Sequence, residues 1–319
     1  MDLKILIVNY HYIRESRSHR GIYNITPVEF EKQLGAIHSS GYHFVSLEAL
    51  HNAIKDKNPI ALNSKSCLIT FDDGLKESYE LGLSILDRMG IPGAFYISSA
   101  TLNQDVVLDV HKFHHIQSEM DTPKILSFVP QKFLVRLESI NKNAIKNQYI
   151  WDEYEAAKLK YLINFLLEID EKEEVFQTLF SICNIPEQDF AKNLYMTQKQ
   201  IKDIANRGYL GAHGKSHLPL ACLPKNALDL EIAESSAALL DLTGKKIEAI
   251  AYPYGGENSL SNTVFDAVRI NGFISGMTMK RGLNTETDIL DNPLQLKRFD
   301  TNDVFGGKSE SAYKRFFYD

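Results

Sequence analysis

Two spacings of apolar residues alternate along the first hundred positions. Residues 4–10 are apolar almost throughout and predict a buried strand, as do residues 94–98. Between them, the Thr-Pro-Val-Glu stretch at 26–29 predicts a helix start, and Phe30 and Leu34 then recur on one helical face. Strands that alternate with helices in this way predict a parallel sheet or barrel.

The alternation stops in the middle of the chain and resumes later. Residues 103–196 carry long helical patterns and few strand signals. Short strands are predicted again at 209–212, 247–251 and 295–299. We therefore predict a single domain over residues 1–319, with a mostly helical insertion at 103–196 that does not fold separately.

Polar side chains follow several of the predicted strands. In parallel α/β barrels, functional groups collect at the carboxyl ends of strands because the loops converge there. Two adjacent carboxylates repel each other, and a divalent cation offsets that repulsion if one carboxylate binds the ion and the other takes a proton from its water. The clusters are Asp72 with Asp73, His213 with His217, and Tyr252 with Tyr254.

Two histidine pairs have a spacing that suits metal ligands. His213 and His217 lie just past a predicted strand, in the same β/α layer as the two aspartates, and we favour this pair. His111 and His115 lie in the insertion, where Asp109 offers a carboxylate. A metal site on that second group is the alternative.

Three motifs, in order, resemble those of one enzyme family. They are TFDDG at 70–74, HGKSHLP at 213–219 and YPYG at 252–255. Together they are similar to the polysaccharide deacetylase family (NodB homology, carbohydrate esterase family 4-like), over about 3–101 and 196–299. The resemblance implies a distorted (β/α)7-type barrel and a metal-dependent carbohydrate N-deacetylase that hydrolyses the C–N bond of a linear amide.

The same resemblance implies roles for individual residues. Asp73, His213 and His217 would bind the metal, and Asp72 would be the general base. The backbone N–H of Tyr254 would stabilise the oxyanion of the reaction. Two imidazoles and one carboxylate suit Zn²⁺, with Co²⁺, Ni²⁺ or Mn²⁺ as further candidates.

The chain departs from the family pattern next to the third motif. Many members carry an arginine that orients the catalytic aspartate, whereas this chain has Ala251 there. Arg298 is a candidate replacement, and an ordinary surface ion pair is the other interpretation of that residue. For Tyr252, an aromatic wall that binds substrate and a core position are both open.

Many members also carry a late histidine that protonates the leaving amine, but no histidine follows His217 here. An amide needs that proton because an amide anion leaves very poorly. His11, which we also predict to bind substrate, could supply it, or Asp72 could act as both base and acid. We favour a histidine at the start of the insertion, His111 first.

Composition limits the class of substrate and the cellular location that we expect. A net charge of −6 with no basic stripe argues against nucleic-acid binding. The apolar run at residues 3–8 is too short for an export signal or a membrane span, so we expect a cytoplasmic protein. An N-acetylated sugar, in a cytoplasmic step of surface polysaccharide or lipopolysaccharide biosynthesis, is the predicted substrate.

Two other functions stay open. Some barrel relatives hydrolyse a different amide, such as a formamide or a cyclic imide. A degenerate member that binds glycan without turnover would explain the missing arginine and histidine, although the intact aspartate and histidine pairs argue against it. We expect the insertion to form one wall of the pocket and to restrict it to a short substrate. The oligomeric state is left open.

Overall fold

A computed structural model describes residues 3–17, 23–149, 152–314 and 317. Within these residues the strands form one parallel sheet, with seven strands in the order β7-β6-β5-β4-β3-β1-β8 and β2 beside β3. The strands are β1 (Lys4–Tyr10), β2 (His43–Phe44), β3 (Lys65–Phe71), β4 (Gly93–Ile97), β5 (Leu210–Ala212), β6 (Ala249–Ala251), β7 (Ser275–Met277) and β8 (Phe299–Asp300).

Both faces of the central strands are covered by apolar groups, which is why their sequences are mostly apolar. Consecutive side chains of a strand point to opposite faces. In β1, Leu6 and Val8 pack in the cluster that contains Phe30 of the first helix. Ile5 and Ile7 pack in a second cluster inside the curled sheet.

The two edges of the sheet approach each other through one late segment. Leu296 forms a parallel bridge with Met277 at the end of β7. Three residues later, Phe299 of β8 pairs with Val8 of β1. The sheet thus curls into a partial barrel, as predicted. The strand predicted at 295–299 is shorter and begins later, as β8 at Phe299–Asp300, and its first predicted residue lies in a 3₁₀ turn at Pro293–Gln295.

Helices connect the strands and cover the outer face. A π-helical turn at Ser78–Leu83 leads into the third helix. The helices before the insertion are α1 (Pro27–Ser39), α2 (Leu47–Lys55) and α3 (Ser84–Met89). Those after it are α11 (Gln198–Asn206), α12 (Lys225–Thr243), α13 (Asn262–Ile270), α14 (Glu286–Asp291) and α15 (Glu310–Tyr313). Among the described residues, no helix has the length and apolar character that a bilayer crossing requires.

The insertion lies between β4 and β5 and has an apolar cluster of its own, with Phe113 and Phe176 among its members. At its carboxyl end, Tyr195 forms an antiparallel bridge with Leu75, just past β3. That the whole chain is a single domain stays a prediction. The helices of the insertion are α4 (Asp109–Glu119), α5 (Thr122–Phe128), α6 (Gln131–Leu134), α7 (Lys142–Gln148), α8 (Tyr154–Tyr161), α9 (Ile169–Cys183) and α10 (Glu187–Leu194).

Candidate active site

The two adjacent aspartates at the end of β3 face different partners. Asp72 continues the sheet, since its N–H donates to the Tyr10 carbonyl at 3.1 Å. Asp73 and Gly74 then turn sharply, with φ angles of +74° and +70°. A left-handed conformation is uncommon for an aspartate and is held only where the surroundings enforce it. Because of this turn, the two carboxylates do not share one site.

Asp73 meets the two predicted metal-binding histidines. Its Oδ1 lies 3.2 Å from Nε2 of His213 and 3.3 Å from Nε2 of His217. All three residues are buried, and one ligand atom from each lies within 4.8 Å of the others. The structure therefore brings together, from the ends of β3 and β5, the three residues that the motifs predict as metal ligands.

Local contacts leave these ligand atoms free for a cation. Nδ1 of His213 donates to the carbonyl of Ala251 at 2.8 Å, so Nε2 presents its lone pair to the cluster. Oδ1 of Asp73 and Nδ1 of His217 are buried and have no hydrogen-bond partner within the described part of the chain. Buried polar atoms are rarely left without a partner, and a cation at this point would satisfy Oδ1. The donor set therefore fits a divalent metal ion.

The electrostatics of the cluster keep Asp73 ionised. Burial alone would raise the pKa of its carboxyl, but the hydrogen bond from His111 and the nearby imidazole rings of His213 and His217 hold that pKa well below its usual value. Burial lowers the pKa of His217. For His213, burial would lower the pKa, but the negative charges of Asp72 and Asp73 and the hydrogen bond to the Ala251 carbonyl together outweigh it, and the pKa is raised.

Asp72 forms a buried, bidentate ion pair with Arg298. The guanidinium donates from Nη1 to Oδ1 and from Nη2 to Oδ2, each at 2.8 Å, and Arg298 is 0% exposed. Asn9 adds a hydrogen bond to Oδ2 at 3.0 Å. Burial would raise the pKa of Asp72, but the charges of Arg298 and His213 outweigh it and the pKa is lowered. The ion pair of Arg298 is therefore buried and not at the surface. Arg298 contacts Asp72, the aspartate that it would orient in place of the arginine missing at position 251.

His111 lies beside Asp73 and is enclosed by the protein. It is 1% exposed, with Nε2 at 3.1 Å from Oδ2 of Asp73 and Nδ1 at 2.7 Å from the hydroxyl of Tyr195. The structure does not present this ring to a substrate, contrary to the proton-donor hypothesis. The alternative metal group is not formed among the described residues, because the His115 ring packs on Phe190 instead.

The two tyrosines of the third motif have different surroundings. Tyr252 is 1% exposed, and its hydroxyl donates to the Leu294 carbonyl at 2.8 Å. Of the two interpretations left open for Tyr252, the structure supports the core position and not the substrate-binding wall. Tyr254 adopts a φ of +62°, and its ring centre lies 4.9 Å from that of His217 and 5.4 Å from that of Phe165 in the insertion.

A cavity of about 240 Å³ opens between the barrel and the insertion. His11, partly buried just past β1, is on the barrel side. The insertion contributes polar and aromatic side chains, and the late loops contribute more. The lining includes Tyr12, Tyr23, Asn147, Gln148, Tyr149, Asp152, Lys160, Asp300, Thr301, Asn302 and Lys308.

Sequence reasoning missed Asn9 and Tyr195. A polar residue inside the apolar run of β1 is a visible signal for Asn9. Tyr195 carries no such signal, since one buried tyrosine in a helical region is indistinguishable from any other. Its contact with His111 depends on how the insertion returns to the barrel.

Sequence comparisons point to one family. A model of the family described as polysaccharide deacetylase matches residues 163–272, about a third of the chain. YxkH of Bacillus subtilis (strain 168), named as a presumed polysaccharide deacetylase, is 28% identical over 118 residues. That alignment covers 37% of this chain and 37% of the relative, so the chain spans little more than a third of YxkH.

Solved structures match over nearly the whole chain. The Streptococcus pyogenes deacetylase PplD in complex with acetate has a TM-score of 0.61 at 16% identity, covering 99% of each chain. IcaB from Ammonifex degensii has a TM-score of 0.60 at 17% identity, covering 100% of this chain and 98% of IcaB. At such low identity these matches establish the fold, a parallel barrel with helices.

Proposed function

We propose that this chain is a metal-dependent hydrolase of the polysaccharide deacetylase family, which removes an N-acetyl group from an N-acetylated sugar. The observation that carries the proposal is the convergence of Asp73, His213 and His217 next to an aspartate held by a buried arginine. The three-residue cluster is suited to bind a cation, and Asp72 is suited to accept a proton. Both lie at the carboxyl ends of the strands.

The metal site supplies the first half of the chemistry. Asp73 Oδ1 and the Nε2 atoms of His213 and His217 would hold a Zn²⁺ ion, with positions left for other ligands. Co²⁺, Ni²⁺ and Mn²⁺ bind similar donors. When bound, the ion acts as a Lewis acid that lowers the pKa of water from about 15.7 towards about 7 and polarises an amide carbonyl.

Asp72 supplies the second half as the general base. Its carboxylate takes the proton of the water that attacks the amide carbonyl. Arg298 and Asn9 hold both carboxylate oxygens, so the side chain keeps one orientation. The backbone N–H of Tyr254, which lies in a left-handed turn, would donate to the developing oxyanion.

We assign the proton for the leaving nitrogen to His11 rather than to His111. Tyr10 and Phe71 are paired in the sheet, so the residues that follow them, His11 and Asp72, emerge next to each other. His11 lines the cavity, whereas both ring nitrogens of His111 are engaged behind Asp73. His11 could therefore protonate the nitrogen of a sugar bound in this cavity, whereas neither ring nitrogen of His111 is free to do so.

Replacing His11 by Gln is expected to lower kcat for acetate release from an N-acetylated sugar by about 100-fold or more. An aryl acetate ester should be affected far less, because a phenolate leaves without a proton. Both rates are measured on zinc-loaded protein, with His43→Gln, an exposed histidine outside the site, as the control. An equal loss on amide and ester, or no loss on either, would contradict this assignment.

The cavity beside His11 is the proposed sugar site. Planar amide groups such as those of Asn147, Gln148 and Asn302 suit the hydroxyls of a sugar, and Tyr149 adds an aromatic ring. Since three of these belong to the insertion, its contribution of one wall is supported. The restriction to a short substrate, the cytoplasmic location and a step in surface polysaccharide or lipopolysaccharide biosynthesis stay predictions.

A substrate panel tests the proposal. Zinc-loaded protein is incubated with free, nucleotide-linked and oligomeric N-acetylhexosamines, and with a formamide and a cyclic imide, and the acids released are measured. We expect acetate from at least one sugar. Formamide or imide hydrolysis without acetate would favour the other amide class. Stoichiometric zinc with no turnover of any substrate would favour a degenerate glycan-binding protein.

A further inference from the structure

A chain of buried hydrogen bonds runs from the insertion to the metal-binding aspartate. The backbone N–H of Leu108 donates to the hydroxyl oxygen of Tyr195 at 2.9 Å. That hydroxyl lies 2.7 Å from Nδ1 of His111, whose Nε2 lies 3.1 Å from Oδ2 of Asp73. Tyr195 is 0% exposed, so water does not compete for these contacts.

The chemistry of the partners fixes the direction of each hydrogen bond. An ionised carboxylate only accepts, so Nε2 of His111 must carry the hydrogen that it donates to Asp73. In the neutral ring Nδ1 is then an acceptor, and the hydroxyl of Tyr195 donates to it. The oxygen of Tyr195 keeps a lone pair for the N–H of Leu108. Along this series of hydrogen bonds, from Leu108 to Asp73, every donor therefore has an acceptor.

We propose that Tyr195 and His111 are positioning residues, a relay through which the helical insertion orients Asp73 and sets the affinity for the metal. This inference rests on the proposed function of the Asp73 site. His111 occupies Oδ2, which leaves Oδ1 to face the imidazoles of His213 and His217. Partners of this kind orient a metal ligand and influence how tightly the metal binds.

The backbone around Asp73 is held from the same side. Met196 donates its N–H to the carbonyl of Gly74 at 3.0 Å, and Tyr195 forms a bridge with Leu75. Asp73 itself is in the left-handed region, a conformation that neighbouring contacts must maintain. The carboxyl end of the insertion thus contacts both the side chain of Asp73, through His111, and the chain that follows it.

Tyr195→Phe removes one hydroxyl from the relay and leaves the aromatic ring in place. We expect the dissociation constant for zinc, measured by calorimetry on metal-free protein, to rise about 10-fold. We also expect the visible absorption of the cobalt-loaded protein to shift, because the geometry around the metal changes. Tyr10→Phe is the matched control, since its buried hydroxyl donates to Gln33 away from the metal ligands. It should leave zinc affinity and spectrum unchanged.

Two substitutions of His111 test the relay independently of Tyr195. Glutamine places its amide nitrogen near the position of Nε2 and can still donate to Asp73, whereas asparagine is too short. We expect His111→Asn to weaken zinc binding about 10-fold or more and His111→Gln to restore most of the affinity. A general packing defect would weaken binding equally in both variants.

Folded Tyr195→Phe and His111→Asn proteins with unchanged zinc affinity and an unchanged cobalt spectrum would overturn the relay. That result leaves the proposed function standing, since zinc would still bind. The opposite failure is also distinct: weakened zinc affinity in these variants, without acetate release by the wild type, would support the relay and contradict the deacetylase. Wild-type protein that binds no zinc would overturn both.

Discussion

Asp72→Asn is expected to lower kcat for acetate release by about 1,000-fold while zinc still binds with nearly wild-type affinity. The amide cannot accept the proton of the attacking water, and general-base catalysis contributes about 10²- to 10⁴-fold. The side chain keeps its shape and does not belong to the metal-ligand cluster. Kinetics at saturating zinc, with calorimetry for zinc affinity, measure the two effects separately.

Asp73→Asn is the matched comparison, because the same change one residue later removes a metal ligand instead. It should abolish zinc binding at concentrations that saturate the wild type, and activity should disappear with the metal. If Asp72→Asn lost the metal and Asp73→Asn kept it, the roles of the two aspartates would be reversed. The contrast is sharp because the two carboxylates contact different partners in the structure.

Arg298→Met is expected to destabilise the protein by about 3–5 kcal/mol, the usual cost of leaving one partner of a buried ion pair unpaired. It should also lower kcat, since Asp72 loses both hydrogen bonds from the guanidinium. Urea unfolding at neutral pH measures the free energy of unfolding. Arg207→Met is the control, because Arg207 pairs with Asp87 and Asp203 at the surface, where such pairs contribute about 0–1 kcal/mol.

A double variant separates the lost charge pair from lost packing. Adding Asp72→Asn to Arg298→Met removes the unpaired buried carboxylate, so part of the stability should return. If the loss of unfolding free energy in the double variant equals the sum of the losses in the two single variants, Arg298 and Asp72 do not stabilise each other. Arg298→Lys keeps the charge but not the two-pronged geometry, and we expect intermediate stability and activity.

Features that depend on local sequence could be predicted. The apolar run at residues 4–10 coincides with β1, because a strand covered on both faces needs mostly apolar side chains. The capping box at Thr26 and Glu29 forms as predicted and starts α1. The polar motifs follow strands, and in a parallel sheet the ends of β3, β5 and β6 share one edge. The barrel fold and the resemblance to the polysaccharide deacetylases are confirmed.

Features that depend on distant contacts could not be predicted with the same security. Arg298 and Asp72 are 226 residues apart in the sequence. They meet because Arg298 lies in the late segment that bridges the end of β7 and then pairs with β1. The motif does not specify on which face of the sheet the Tyr252 side chain lies, so its position in the core could not be predicted. His111 carries the right chemistry for an acid, but the fold of the insertion encloses it behind Asp73.

The most direct measurement is anomalous diffraction from crystals of the wild-type protein grown with zinc, recorded on both sides of the zinc absorption edge. We expect a strong anomalous peak about 2.0–2.2 Å from each of three atoms: Oδ1 of Asp73, Nε2 of His213 and Nε2 of His217. No peak at these atoms in zinc-saturated crystals, or zinc bound only at Asp109 and His115, would contradict it.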